Sequence, residues 1–253
     1  MGTNFGVALL LTAAAGLSTT LGSLLGLVVK KPGTRFLSFV LGFSAGVMIM
    51  LSFIELLQGS IEYIGFLPAN VGFFAGILSM FLVDHLVPHE YIGQQDFGRA
   101  ESNGKLLRAG LLVALGIGIH NFPEGMATFA GALKDLRLGI AISIAIALHN
   151  IPEGLAVSVP VYAATGDRGK AFLWSFLSGA AEPVGAAMAA AVLLPFLTWS
   201  VLGWILAAIA GIMVFISLDE LIPLSRSMGQ EHVPLLGIVV GMVTMVLSLW
   251  MLK

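Results

Sequence analysis

The chain has 253 residues, of which 58% are hydrophobic and 10% charged, and its formal net charge is −2. So few charges cannot cover a soluble globule of this length, and the near-neutral balance provides no basic surface for nucleic acid. There is no cysteine, so any metal must be held by His, Asn, Met and carboxylate groups, and the composition as a whole predicts an integral membrane protein.

Apolar segments long enough to cross about 30 Å of hydrocarbon as helices recur eight times along the chain. The pattern therefore predicts an all-α polytopic membrane protein that forms a single domain over residues 1–253. A polar linker is expected at about residues 88–105. The predicted spans cover residues 5–29, 36–57, 66–87, 106–131, 138–163, 171–194, 201–224 and 233–252.

Lys and Arg are distributed unevenly between the two sets of alternate connections. One set carries nine of the twelve, and the other set, counted with the C-terminus, carries three. Because cytoplasmic connections are enriched in these residues, we expect the first set, with the linker, to be cytoplasmic and both termini to be extracytoplasmic. The protein is expected in the cell membrane, in contact with lipid.

The second and third spans contain ionisable residues at informative places. Met48 and Glu55 are seven residues apart, so they share a helix face and could line an entrance; ordinary core packing and a position at the membrane edge are the alternatives. The third span ends in DHLVPHEY, which brings Asp84, His85 and His89 to the cytoplasmic mouth. These groups could form an exit relay, or they could be hydrated charges at a helix end.

The fourth and fifth spans carry almost the same hexapeptide, HNFPEG and then HNIPEG. Each copy places a His and a Glu four residues apart on one helix face, with an Asn beside the His. Its proline removes a backbone donor, which a membrane helix tolerates only beside other protein groups or water, so both motifs should face inward. Consecutive spans are antiparallel, so a pseudo-two-fold axis in the membrane plane can relate them. The candidate metal ligands are His120, Asn121, Glu124, His149, Asn150 and Glu153.

The sixth span adds Glu182, a third carboxylate within an apolar stretch. An ionised group at the centre of a membrane costs about 2.5–3.5 kcal/mol on insertion scales, and the nearest Lys and Arg candidates lie in connections. A bound dication, or protons in its absence, must therefore neutralise the three acids. Imidazole, carboxylate and amide ligands suit Zn²⁺, Fe²⁺, Mn²⁺, Co²⁺ or Cd²⁺, whereas Mg²⁺ more readily keeps its waters.

The seventh span ends in SLDELIP, so Asp219 and Glu220 should lie at the same cytoplasmic mouth as the end of the third span. An exit relay and simple hydration are again the two interpretations. For the whole cluster, a structural polar network, a metal channel and an intramembrane metalloenzyme are alternatives to a carrier. The HExxH spacing of zinc hydrolases is absent, so we expect no enzymatic activity.

At HNFPEG, HNIPEG and AEPVGA, with DHLVPHE and DELIP as supporting matches, the chain resembles the ZIP (Zrt-, Irt-like) family of divalent metal transporters, in its bacterial ZupT-like branch. The resemblance extends over the whole length. It implies eight spans in a 3+2+3 inverted-repeat bundle and a binuclear metal site. It also implies import of metal into the cytoplasm by elevator-like alternating access.

The resemblance further implies roles for individual residues. One metal position resembles a set from the fourth and fifth spans, His120, Glu124, His149 and Glu153. The adjacent position, with bridging glutamates, resembles the set Asn121, Asn150, Glu153 and Glu182. Met48 looks like a ligand supplied by the second span, and Asp219 and Glu220 look like an inner release site.

One departure from the family pattern bears on ion selectivity. Many zinc-selective members carry Gln or Asp where this chain has His149 and Asn150. We therefore expect a broad range of transported ions, with Fe²⁺, Mn²⁺, Co²⁺ and Cd²⁺ beside Zn²⁺. We also expect a homodimer.

Overall fold

The computed structural model describes residues 2–28, 33–86, 103–228 and 231–252, and within these ranges every regular element is helical. Eight of the described helices are long and apolar enough to cross a membrane, which confirms the predicted fold class. They are α1 (Gly2–Val28), α2 (Thr34–Ile64), α3 (Phe66–Leu86), α4 (Asn103–Lys134), α5 (Leu136–Thr165), α6 (Arg168–Val192), α7 (Trp199–Ser227) and α8 (Val233–Leu252). His89 and most of the predicted linker lie outside the described residues.

Several helices extend beyond the predicted spans because capping groups, rather than the end of the apolar run, terminate them. The second span was predicted to end at residue 57, but α2 continues to Ile64 and stops at Gly65, whose φ is +86°. The fourth was predicted to end at residue 131, but α4 continues to Lys134. Asp135 then accepts hydrogen bonds at 2.8 and 3.3 Å from two backbone N–H groups of the next turn, which starts α5.

The prolines of the two motifs do not interrupt their helices. Pro123 and Pro152 lie inside α4 and α5, whose backbones stay helical through them. A break does occur in α6, at Ala180, three residues before Pro183, which has no N–H to donate to the carbonyl of Gly179. Three spans also contain π-helical turns, which an apolar pattern cannot predict: Ser52–Leu57, Ala189–Leu193 and Ser217–Leu221.

Glycines hold α2 against α8 and α3 against α7 at backbone distance. A Cβ on Gly46 would collide with the carbonyl of Ile238, and one on Gly241 would collide with the carbonyl of Phe43. Helices α7 and α3 make the same reciprocal contact. A Cβ on Gly211 would collide with the carbonyl of Phe73, and one on Gly76 would collide with the carbonyl of Ala208. When α2 is aligned with α7 and α3 with α8, Gly46 corresponds to Gly211 and Gly241 to Gly76. The two helix pairs therefore make equivalent contacts, as an inverted repeat requires.

Large apolar side chains cover the outside of the bundle. Leu10, Phe66, Trp250 and Met251 are each at least 70% exposed, and many other exposed positions carry Leu, Val or Phe. A surface of this kind would associate in water, whereas in a bilayer it contacts lipid tails. The exposed surface and the eight helices together confirm a multi-pass membrane protein.

Candidate metal site

Two buried His–Glu pairs connect α4 to α5 near the middle of both helices. His120 Nε2 of α4 lies 3.3 Å from Glu153 Oε1 of α5, and His149 Nε2 of α5 lies 3.2 Å from Glu124 Oε2 of α4. All four residues are at most 1% exposed. Each motif therefore offers its imidazole to the carboxylate of the other, as expected for antiparallel motifs that face each other across a two-fold axis.

The two asparagines tie this cluster to α6 and α1. Asn150 Nδ2 donates a hydrogen bond to Glu182 Oε1 in α6 and another, at 3.0 Å, to the carbonyl of Ala15 in α1. Asn121 Nδ2 donates to the carbonyl of Ser178 in α6 at 3.1 Å. Because both amide nitrogens are used in this way, both amide oxygens remain available as acceptors or metal ligands.

Seven polar atoms of the cluster are buried without a hydrogen-bond partner. Buried polar atoms are nearly always paired in folded proteins, so such a concentration needs an explanation. Carboxylate oxygens, amide oxygens and imidazole nitrogens with free lone pairs are also the atoms that bind transition metals. The seven are His120 Nδ1, Asn121 Oδ1, Glu124 Oε1, His149 Nδ1, Asn150 Oδ1, Glu153 Oε2 and Glu182 Oε2.

The ligand candidates stand as pairs rather than as a closed cage. Among the described residues, no three His, Asp or Glu side chains are arranged around one point as metal ligands. Each imidazole nevertheless lies within electrostatic range of both Glu124 and Glu153. The structure therefore brings the residues of both motifs and Glu182 into one buried cluster, in which the imidazoles contact carboxylates.

The glycine that ends each motif sets the spacing of the four helices around the cluster. A Cβ on Gly125 would collide with the carbonyl of Glu182 in α6, because the two backbones are in direct contact. The reciprocal contact is Gly185 with the carbonyl of Phe122. The same arrangement joins α5 to α1, through Gly154 with Thr19 and Gly22 with Ile151. The part played by α1 was missed by the sequence analysis, in which α1 carried no metal-binding side chain.

Met48 and Glu220 belong to helices α2 and α7, which contact α5 and α4 respectively. Met48 is fully buried, and Ser44, one turn earlier in α2, donates from Oγ to the carbonyl of His149 at 3.3 Å. On α4, a Cβ added to Gly116 would lie 3.2 Å from Glu220 Oε2, one turn before His120. Glu220 thus extends the polar cluster towards the N-terminal half of α4.

The remaining predicted entrance and exit residues in the described part of the chain are partly exposed. Glu55 lines a cavity of about 350 Å³ together with Glu62 and Asp135, between the end of α2 and the α4–α5 connection. Asp84 is half-buried two residues before the end of α3, and Asp219 is half-buried in the π-helical turn of α7.

Comparisons with known proteins cover nearly the whole chain. Residues 93–249 match the family model described as "ZIP Zinc transporter". A protein of Chlorobium phaeovibrioides named "Zinc transporter ZupT" is 52% identical over 260 residues, which cover 97% of each chain. Proteins of the same name from Nitratidesulfovibrio vulgaris and Streptococcus mutans are 49% and 47% identical, with 94% and 96% of each chain covered.

Proposed function

Because the chain belongs to the ZIP family of zinc transporters, we propose that it imports zinc and related divalent ions into the cytoplasm through the buried cluster of α4, α5 and α6. The family consists of transporters, so the predicted absence of enzymatic activity is confirmed. The observation that carries the proposal is the pair of contacts between the two motifs: the His of each motif contacts the Glu of the other, and all four side chains are buried.

The cluster has donors for two adjacent ions. In each of Glu124 and Glu153, one carboxylate oxygen contacts an imidazole and the other has no partner, which is the condition for a bridging carboxylate. When an ion binds, each imidazole gives up its contact with the carboxylate and coordinates the ion instead. One ion is held by His120, Glu124, His149 and Glu153, and the other by Asn121, Asn150, Glu153 and Glu182, with Met48 as a further ligand from α2.

The cavity at Glu55 and the acidic residues of α7 suggest a path for the ion. The cavity at Glu55 is the proposed entrance, and Glu220 with Asp219 forms the proposed release side. Alternating access between them makes the protein a carrier. The imidazole and amide of His149 and Asn150 favour several borderline ions, so Fe²⁺, Mn²⁺, Co²⁺ and Cd²⁺ are proposed as further substrates. The homodimer stays a prediction.

Uptake by the purified protein in sealed proteoliposomes tests this function. We expect radioactive zinc to accumulate with saturable kinetics and an excess of Cd²⁺, Fe²⁺, Mn²⁺ or Co²⁺ to compete. Flux that rises linearly with concentration would indicate a channel with the same ligands. Uptake no greater than in protein-free liposomes would contradict metal transport altogether.

The orientation of the chain can be tested by cysteine labelling, because the sequence contains no cysteine of its own. Glu62 lies exposed at the proposed outer side, and Glu231 lies exposed in the α7–α8 connection, on the proposed cytoplasmic side. We expect a membrane-impermeant maleimide to label Glu62→Cys in intact cells and to label Glu231→Cys only after permeabilisation. The reverse pattern would mean that both termini face the cytoplasm.

A further inference from the structure

Helix α1 meets the cluster in the same register as α6. Asn150 donates to the α1 carbonyl four residues before Thr19, at 3.0 Å, and Asn121 donates to the α6 carbonyl four residues before Glu182, at 3.1 Å. The motif glycines touch the same two helices. Gly154 meets the carbonyl of Thr19 in α1, and Gly125 meets the carbonyl of Glu182 in α6. Thr19 and Glu182 are therefore equivalent positions.

The side chains of these two residues begin from equivalent places as well. Helices α1 and α6 touch each other at Gly16 and Gly179, each three residues before the position in question. The Cβ of Glu182 lies 3.2 Å from where a Cβ on Gly16 would be, and the Cβ of Thr19 lies 2.9 Å from where a Cβ on Gly179 would be. Both side chains thus flank the same α1–α6 contact, on opposite sides of the pseudo-two-fold axis.

The hydroxyl of Thr19 is buried without a partner. Thr19 is 0% exposed, and its Oγ1 makes no hydrogen bond. A threonine in a helix normally satisfies its hydroxyl on the carbonyl four residues earlier, as Thr12 of the same helix does with Ala8 at 2.9 Å. Other hydroxyls of α1, such as that of Ser23, are also unpaired, but Thr19 alone stands at the position equivalent to Glu182, where a partner can arrive with the transported ion.

We propose that Thr19 is the neutral counterpart of Glu182 and donates its hydroxyl oxygen to the hydrated dication on the Asn121 side of the site. This inference rests on the proposed function and adds a residue of α1 to it. The two halves of the site are then unequal, because one half has the carboxylate of Glu182 and the other only the hydroxyl of Thr19. Thr19 thereby contributes an oxygen ligand without adding a fourth negative charge to the three of Glu124, Glu153 and Glu182.

Three variants separate this role from a structural one. Thr19→Val removes only the hydroxyl, so we expect the zinc concentration for half-maximal uptake to rise about threefold or more while the melting temperature of the metal-free protein stays equal or rises. Thr19→Ser keeps the hydroxyl and should behave as the wild type. Thr12→Val is the matched control, because it loses a satisfied hydrogen bond and should lower the melting temperature without changing the half-maximal concentration.

Exchanging the two residues across the axis is the sharpest test. Glu182→Thr alone should lose about 90% or more of zinc uptake, and adding Thr19→Glu should restore about a third or more of it. An unchanged half-maximal concentration in Thr19→Val, or a double variant no better than Glu182→Thr, would overturn the inference while wild-type uptake still upholds the proposed function. A wild type that takes up no metal would instead reject the proposed function, and this inference with it.

Discussion

Replacing Glu153 with alanine is expected to lower the rate of zinc uptake by about 100-fold or more, which abolishes transport, while the protein still inserts into the membrane. The carboxylate is fully buried, contacts His120 through Oε1, and leaves Oε2 without a partner. In the proposed site it is shared by both ions, so its loss removes one bridge and one of the three negative charges that offset them. Radioactive zinc uptake into proteoliposomes measures the effect.

Two controls show whether the charge or the packing of Glu153 matters. Glu153→Gln keeps the volume and one oxygen acceptor but not the charge, and we expect it to be nearly as inactive as Glu153→Ala. Glu231→Ala removes an exposed glutamate between α7 and α8 and should transport normally. Uptake by Glu153→Ala at the wild-type rate would rule out the bridging role.

The second large effect is expected from Gly125→Ala, which adds a single methyl group beside the cluster. Its Cβ would collide with the carbonyl of Glu182, and a backbone contact cannot yield as a flexible side chain does. Overpacking of this kind typically costs about 1–3 kcal/mol. Here it also pushes α6, and with it the Glu182 carboxylate, away from α4. We expect uptake to fall to background and the melting temperature to decrease.

Gly118→Ala on the same helix provides the matched control. A Cβ at Gly118 would find its nearest neighbour, the Cα of Ser178, at 3.8 Å, which is an ordinary van der Waals contact. Alanine also has a higher helix propensity than glycine, so the stability and the zinc uptake of Gly118→Ala should be retained. Equal losses in both variants would mean that α4 tolerates no added methyl group anywhere, and that the Gly125 contact with α6 has no special role.

The fold class was predictable because the constraint behind it is simple. A helix needs a minimum apolar length to cross a membrane, and eight segments meet it, so the spans followed from hydropathy alone. Their ends did not, since α2 continues to Ile64 until Gly65 stops it. The π-helical turns, such as Ser217–Leu221, depend on packing between helices and leave no periodic signal.

The residues of the candidate site could be predicted from the sequence, but the contacts between their side chains could not. The repeated motif and Glu182 identified the acidic and imidazole groups, because ionisable residues are rare in apolar helices. The repeat predicted that the two motifs face each other, but the contact of each His with the Glu of the other motif required the structure. The contribution of α1 was also hidden, since Gly22 and Thr19 resemble the many other small residues of the chain until the helices are placed against one another.

The location of bound metal decides whether these side chains form the site. Crystals of the protein soaked with Cd²⁺ should give anomalous difference density between α4, α5 and α6, within coordination distance of Glu153 and at least one of His120 and His149. A second peak should lie beside Glu182 and Asn150. Cadmium density found only elsewhere, or none among these residues in a preparation that transports zinc, would contradict the site.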